Sequence, residues 1–517
     1  MSASTERKNR QAAREAGTDK KTIARQEAEK KAAKSKRRWT IGSILVAVLL
    51  VVILMLNSGL LYTHTTAAVV GSRSYSPAEL SYYYVNQYSN FLSQYGSYAS
   101  FFGLDTSKGI AGLADQECPM AGEGQSWRDY FLDQALASMR QVTALNEYAK
   151  ANGVALDESD LAEIDDNLAL ALESAKANGF SNLNRFFAAQ YGTGVNEKTV
   201  RSLLCDSALA SKALAQYQDS LSFSEEQRET YYSSLEGSSD FFDYGYCYVA
   251  AETVPAEGEE QDAPNEQTLL EARMTAEAIE MAYKDGYDIE DPAERLGAAV
   301  EAEFETASPT LLTRASGSNL GDLREWLCDS ARQPGDVSVI ASGDGLGYYV
   351  AVFIARDDNH YPTVSVRHIL IKAEAGEDGT YSDEAKQAAL DRINEIKAEF
   401  DSGDKSEESF AALAEKYSED GGSNTNGGLY ENIYKGEMVQ EFNDFCFAHH
   451  QKGDVAVVYG ESSGYAGYHL VYFVGEGELY SNVIADSALA SEAVSELITE
   501  QSGTVEPALR RWAKLVK

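Results

Sequence analysis

A three-residue turn, Gly335-Asp336-Val337, returns 118 residues later as Gly453-Asp454-Val455. Gly347-Tyr348-Tyr349 returns after 120 residues as Gly467-Tyr468-His469, and Tyr246 is answered after 122 by His368. Ordered matches at nearly one offset mean two tandem copies of one unit, so 240–478 is not a single continuous domain. In the first copy, alternation and helical periodicity predict a strand over 242–249, an acidic Pro/Gly loop over 254–265 and a helix over 266–285. A helical turn over 323–331 and a strand pair around 347–354 complete it. The second copy runs the same way: strand 364–372, acidic loop 374–380, helix 383–401, helical turn 442–448, strand 467–474.

The region before the repeats has a different texture. After a short Val-rich strand-like piece at 67–75, Pro77 and Glu79 open a helix in which Leu80, Tyr84, Tyr88, Phe91 and Tyr95 recur at spacings of three and four. Helices follow over 130–152, 158–178, 183–191 and 197–220, broken at Gly179 and Gly192, and another opens at Ser224. Residues 63–235 therefore read as an α-helical domain. A last helix is expected over 487–501 within a C-terminal segment, 479–517.

Charge divides the chain further. The total is 44 Lys and Arg against 81 Asp and Glu, a net −37, yet residues 1–38 alone hold 13 basic and 5 acidic side chains. From 39 to 72 no Asp, Glu, Lys or Arg occurs, and 41–56 is almost continuously Ile, Leu, Val, Ala and Met. That is about the 20 residues a spanning helix needs. With Lys34, Lys36, Arg37 and Arg38 at its start, the segment 39–62 is expected to be a transmembrane helix. Residues 1–38 are then a basic cytoplasmic arm, and the bulk of the chain is extracytoplasmic. A cleaved signal peptide is the competing reading, but the basic region is long and no Ala-x-Ala site follows. So acidic a body repels phosphate backbones, which argues against a nucleic acid partner. The five cysteines, Cys118, Cys205, Cys247, Cys328 and Cys446, lie far apart without a CxxC pair. They suggest neither a disulfide framework nor a zinc site.

Candidate chemistry gathers in the second repeat. His368 lies inside Val366-Arg367-His368-Ile369-Leu370-Ile371, and His469 inside Tyr468-His469-Leu470-Val471-Tyr472. A single strand histidine is usually structural. Two in one unit, both tyrosine in its sister copy, point to a hydrogen-bonded imidazole pair; no third ligand has the spacing for a metal. His449 and His450 read as surface. A Gly/Asn/Ser loop, Tyr417 to Gly428, lacks the order and the lysine of a phosphate-binding loop. Met438 and Phe442 offer apolar surface at helical spacing.

Together these motifs resemble the parvulin family of peptidyl-prolyl cis/trans isomerases. Val366-Arg367-His368-Ile369-Leu370, Tyr417-Ser418-Glu419-Asp420, Asn426-Gly427-Gly428, Gly436-Glu437-Met438-Val439, Gly453-Asp454-Val455 and Gly467-Tyr468-His469 occur in the family's order. The wider plan, an anchored helical domain split around such units, resembles extracytoplasmic foldases of the PrsA/SurA type. The fold class implied is α+β: transmembrane helix, α-helical chaperone-like domain, a degenerate parvulin-like unit at 240–357, a parvulin domain at 362–478, and a C-terminal helix. The resemblance implies a catalytic role for His368, Asp420 and His469. It implies substrate-binding walls at Met438, Phe442 and Phe447, with Tyr430 at the pocket rim where the family usually has Leu. Neither cofactor nor metal is expected. The partners implied are unfolded or partly folded exported polypeptides. The activity implied is cis/trans isomerisation of X-Pro bonds, with chaperone activity from the helical domain; a non-catalytic holdase is the alternative. The first repeat, lacking both histidines, is expected to be inactive.

Overall fold

The computed structural model describes residues 3–17, 20–57, 59–254, 263–286, 288–304, 307–376, 378–462 and 464–502. They fall into two compact units, Met1–Leu221 with Glu492–Lys517, and Ser222–Ser491. The chain mixes helix and sheet, with the sheets concentrated in the second unit.

The first unit begins with α1 (Ala3–Glu15), α2 (Lys20–Asn57) and α3 (Leu60–His64), followed by a small hairpin of β1 (Ala68–Val70) and β2 (Arg73–Tyr75). Then come α4 (Pro77–Tyr95), α5 (Trp127–Asn152), α6 (Glu158–Ala177), α7 (Leu183–Tyr191) and α8 (Glu197–Ser220). Capping boxes at Ser76/Glu79, Ser126/Asp129 and Asp157/Asp160 satisfy the free N–H groups that start α4, α5 and α6. The aromatic stripe of α4 is core, as its period requires. Leu80, Tyr84, Tyr88 and Phe91 are buried with Trp127 and Phe131 of α5, while Tyr95, a turn beyond, is partly exposed. The apolar stretch expected to cross a membrane lies in α2. Side chains at 52–58 fall outside the described residues, and among the described ones no helix is long and apolar enough to cross a membrane.

The second unit opens with α9 (Glu225–Ser234), which the sequence reading assigned to the helical domain. It belongs here because Tyr232 donates to buried Asp240 at 2.8 Å and the Arg228 guanidinium grips Asp486 through two bonds of 2.7 and 2.8 Å. The first repeat holds β3 (Phe241–Ala250), α10 (Glu266–Asp285), α11 (Pro292–Glu303), β4 (Thr310–Ser316), α12 (Arg324–Leu327), β5 (Val337–Ala341) and β6 (Gly347–Asp357). The second holds β7 (Pro362–Lys372), α13 (Asp383–Ser402), α14 (Glu407–Tyr417), β8 (Leu429–Ile433), α15 (Gln440–Cys446), β9 (Val455–Ser462) and β10 (Tyr465–Leu479). After them α16 (Tyr480–Ser502) ends in the first unit, where Leu497 packs against Leu145, Ala149, Ala210 and Ala213. Most of the acidic loop expected at 254–265, and residues 503–517 of the C-terminal segment, fall outside the described residues.

Both repeats form antiparallel four-stranded sheets of one topology, β4-β3-β6-β5 and β8-β7-β10-β9. The repeated Gly-Asp-Val turn is the same down to single bonds. Gly335 donates to the Phe353 carbonyl at 2.8 Å and Gly453 to that of Phe473 at 2.9 Å; the return bonds from Phe353 to Asp336 and from Phe473 to Asp454 are both 2.9 Å. The packing helices also correspond. Counted from their N-caps, Asn265 and Ser382, the buried Ala272, Ala276, Ile279 and Tyr283 of α10 become Ala389, Ile393, Ile396 and Phe400 of α13. Strands β4, β8 and β9 were not expected from the sequence. Each is an edge strand, where burial on one side only dilutes the alternating pattern that marks β3, β6, β7 and β10.

Because Ile279 and Ile396 are each fully enclosed at matching core positions, Ile279→Ala and Ile396→Ala should each destabilise their repeat by about 2–5 kcal/mol in urea unfolding. A loss in one repeat with none in the other would show that the two cores are not built alike.

Candidate active site

The central strands of the second repeat set the site. In the antiparallel register of β7 and β10, Leu370 faces His469 and Val471 faces His368, so the two histidines lie diagonally on one face of the sheet. The opposite face carries Ile369, Ile371, Leu470 and Tyr472, buried against α13 and α14. Both imidazoles are enclosed, at 4% and 5% exposure. Their Nδ1 atoms approach to 3.1 Å and the rings stack at 5.3 Å between centroids.

The loop after α14 brings the third group. Ser418 Oγ accepts the Leu370 N–H at 3.1 Å, Glu419 donates its N–H to the Leu370 carbonyl at 2.9 Å, and Gly428 accepts the His368 N–H at 2.8 Å. The loop thus runs along β7 much as a strand would. At Gly428, φ is 73° and a Cβ would sit 2.2 Å from the His368 carbonyl oxygen, so only glycine fits. Held this way, Asp420 Oδ2 lies 3.0 Å from His368 Nε2. It also accepts from Ser423 Oγ at 2.5 Å and the Tyr430 hydroxyl at 3.1 Å, while Oδ1 accepts the Gly422 N–H at 3.2 Å.

These contacts have one consistent polarity. A carboxylate only accepts, so His368 Nε2 carries its proton. With both rings neutral, His368 Nδ1 accepts from His469 Nδ1, and His469 Nε2 accepts from the Tyr465 hydroxyl 3.1 Å away. The carboxyl of Asp420 is held well below the usual carboxylate range, first by its bond to His368 and then by Ser423 and the Gly422 N–H. Burial pushes the His469 imidazole down to about 3. Burial and the Asp420 charge push the Tyr430 phenol up.

Beside this chain lies a cavity of about 300 Å³. Leu370, Met438, Val439 and Phe442 give it apolar walls; His368, Asp420, His469, Tyr430 and Tyr465 form its polar side. Phe442, fully buried, sets its ring edge-on to both imidazoles at 5.5 and 5.2 Å. A larger hollow of about 790 Å³ lies elsewhere in the unit, where the buried Asp240 carboxylate is taken up by the Arg356 guanidinium at 2.5 Å and the Tyr232 hydroxyl at 2.8 Å. Among the described residues no group of three or more His, Cys, Asp or Glu is placed to hold a metal.

Of the residues singled out in the sequence, His368, Asp420, His469, Tyr430, Met438 and Phe442 meet at this cavity. Phe447 does not line it. Just past the end of α15, it packs edge-on to Tyr361 at 5.6 Å. Nor is His450 simply surface: its ring lies 4.1 Å from that of Phe445 and 5.5 Å from that of Phe473. Ser423 and Tyr465 were missed. Ser423 sits in a loop rich in turn residues, but Tyr465 was legible, since residues four apart on a strand share a face. Strands β9 and β10 form a hairpin paired from Tyr465 opposite Ser462 to Tyr472 opposite Val455. In the first repeat Tyr246 and Tyr349 occupy the positions of the imidazoles, 5.6 Å apart at the ring centroids. There the connection from α11 to β4 has six residues, 304–309, against the eleven, 418–428, that carry Asp420.

Residues 350–475 match the family described as the PPIC-type PPIASE domain. Over 117 residues the chain is 34% identical to foldase protein PrsA 1 of Listeria innocua, covering 23% of this chain and 32% of that protein. Over 122 residues it is 34% identical to foldase protein PrsA 4 of Bacillus cereus, covering 24% and 35%. The chain thus matches about a third of the length of these relatives. The crystal structure of PrsA from Bacillus subtilis aligns over 88% of this chain and 94% of its own at 12% identity, with a TM-score of 0.26. A likeness of that degree carries no weight for the fold, which rests on the elements above. Across the second repeat the chain is similar to PrsA-type parvulin foldases.

His469 yields a pH test. Its folded pKa lies below the unfolded one, so the unfolded chain binds the extra proton and acid favours unfolding. Stability should fall as pH drops from about 6.5 toward the folded value, by at most about 1.4 kcal/mol per pH unit. The Asp420 contribution, present above about pH 4, fades only at lower pH. Urea midpoints at pH 7 and pH 5 should therefore separate more in the native chain than in His469→Gln, and equal separations would contradict a buried neutral imidazole.

Proposed function

We propose that this chain is a parvulin-type peptidyl-prolyl cis/trans isomerase that acts as a foldase on exported polypeptides. The observation that carries the reading is the relay from Tyr465 through His469 and His368 to Asp420 along one side of a cavity whose other walls include Leu370, Met438, Val439 and Phe442. An X-Pro amide must turn through a twisted state against a barrier of about 18–20 kcal/mol, with no bond broken. Met438, Val439 and Phe442 take the prolyl ring and keep water from the amide. The twisted amide carries less separated charge than the planar one, so a site that withdraws water favours it. An ionised Asp420 beside the carbonyl further disfavours the negative oxygen of the planar form. In this reading His368, Asp420 and His469 form the catalytic network. Tyr430, Met438 and Phe442 bind substrate, and no proton need leave the relay.

The helical unit adds chaperone contacts with unfolded clients, and the body works outside a membrane. The basic arm and the exposed apolar side chains of α2, among them Trp39, Ile44, Leu45 and Leu49, support an anchor at 39–62 with its N-terminus cytoplasmic. The first repeat, with tyrosines for imidazoles and a shortened loop where Asp420 would stand, is a scaffold without isomerase activity.

Isomerisation of a short Ala-Pro peptide, followed by NMR exchange, tests the reading. The full chain should accelerate exchange. His368→Ala, Asp420→Ala and Phe442→Ala should each lower kcat/KM by about tenfold or more. A native chain with no rate above background would leave a holdase; full activity in Phe442→Ala would refute the pocket.

A further inference from the structure

The first repeat lacks the imidazole pair, yet one of its side chains reaches the segment that leads into the second repeat's cavity wall. Pairing between β3 and β4 jumps from Phe242 opposite Ala315 to Tyr244 opposite Leu312, which leaves a bulge on β4 facing Asp243. Arg314 sits in that bulge with φ 49°, a left-handed backbone for a bulky residue, and Asp243 Oδ1 accepts its N–H at 2.7 Å. A bulge re-aims the side chain it carries. Arg314 Nη2 donates to the Lys435 carbonyl at 2.5 Å, Nη1 lies 3.5 Å from Asp357, and the guanidinium covers the Phe241 ring at 4.4 Å.

The receiving segment, 434–439, joins β8 to α15 and belongs to neither. Gly436, at φ 84°, passes so close that a Cβ there would meet Arg314 Nε at 2.8 Å. Its N–H donates to Asn443 Oδ1 at 2.6 Å, on the helix that carries Phe442. Lys435 closes the contact: its Nζ is 3.3 Å from Asp357 and lies over the Tyr361 ring, whose hydroxyl accepts the Lys435 N–H at 3.0 Å. Two and three residues past Gly436, Met438 and Val439 line the cavity. Strained backbone of the Arg314 kind persists where its surroundings over-determine it, and it clusters at functional positions.

We propose that Arg314 is a positioning residue for the isomerase site. Through it, the inactive repeat holds 434–439 so that Met438 and Val439 stay on the cavity wall, and so contributes to prolyl binding without touching substrate. The proposal rests on the isomerase reading of the second repeat.

The test uses the full chain with Arg314→Gly, which suits the left-handed backbone and removes only the side chain, beside Arg314→Lys. KM for an Ala-Pro peptide should rise about three- to tenfold in Arg314→Gly with kcat within about twofold, since binding and not the chemical step is affected. Amide hydrogen exchange at Gly436 to Val439 should quicken by about tenfold while β7 and β10 keep their protection, and Arg314→Lys should recover part of both changes. Unchanged exchange at 436–439 overturns the brace whatever the rate does. Faster exchange with an unchanged KM overturns its link to binding. A native chain without any rate overturns the isomerase reading instead, and the exchange arm still decides the brace.

Discussion

Everything distinctive about this chain hangs on the pairing of β7 with β10. Their register sets two imidazoles diagonally on one sheet face, close enough for a single hydrogen bond between like nitrogens. Slipping either strand by one residue would turn its ring into the helix-packed face, where Ile369 and Leu470 now lie, and part the two imidazoles. Once the rings meet, the rest is constrained by elementary bookkeeping of donors and acceptors. A carboxylate at one end and a hydroxyl at the other leave one arrangement of protons for two neutral rings, and burial disfavours a charge on His469.

Much of this was legible in the sequence, for definite reasons. The helices announced themselves through caps and periodicity, and the central strands through unbroken apolar alternation. His368 and His469 stood out because the sister copy has Tyr246 and Tyr349 instead. Asp420, Met438 and Phe442 came from the resemblance and are found at the same cavity. What was not legible depends on partners in space. Edge strands β4, β8 and β9 bury too little to show a pattern. Ser423 is indistinguishable from any turn serine until Asp420 is beside it. Phe447 lies just past the end of α15, where it packs on Tyr361 and not on the cavity, a placement that only the end of the helix decides.

The comparison between repeats separates what maintains the fold from what maintains the site. The Gly-Asp-Val turn, the strand order and the buried positions of α10 and α13 agree, and nearly all of that agreement lies in backbone bonds and apolar volume. The differences fall on two ring positions and one loop. Tyr246 and Tyr349 fill the space of the imidazoles with aromatic contact, so the sheet remains packed although the relay is gone. Fold and chemistry are thus written in different residues of the same unit.

Sheet order has a further consequence, for the time at which the site can exist. Each sheet places its first strand beside its last, so His368 and His469, 101 residues apart, meet only after nearly the whole repeat is available. Contacts across such spans close slowly, because loop entropy is lost before pairing compensates for it. In a chain emerging from its N-terminus, β7 can pair with β8 on one side, but its other side waits unpaired until β10 has been made. The relay is therefore among the last parts of the second repeat to assemble, after α13 and α14 are already available to cover the other face of β7.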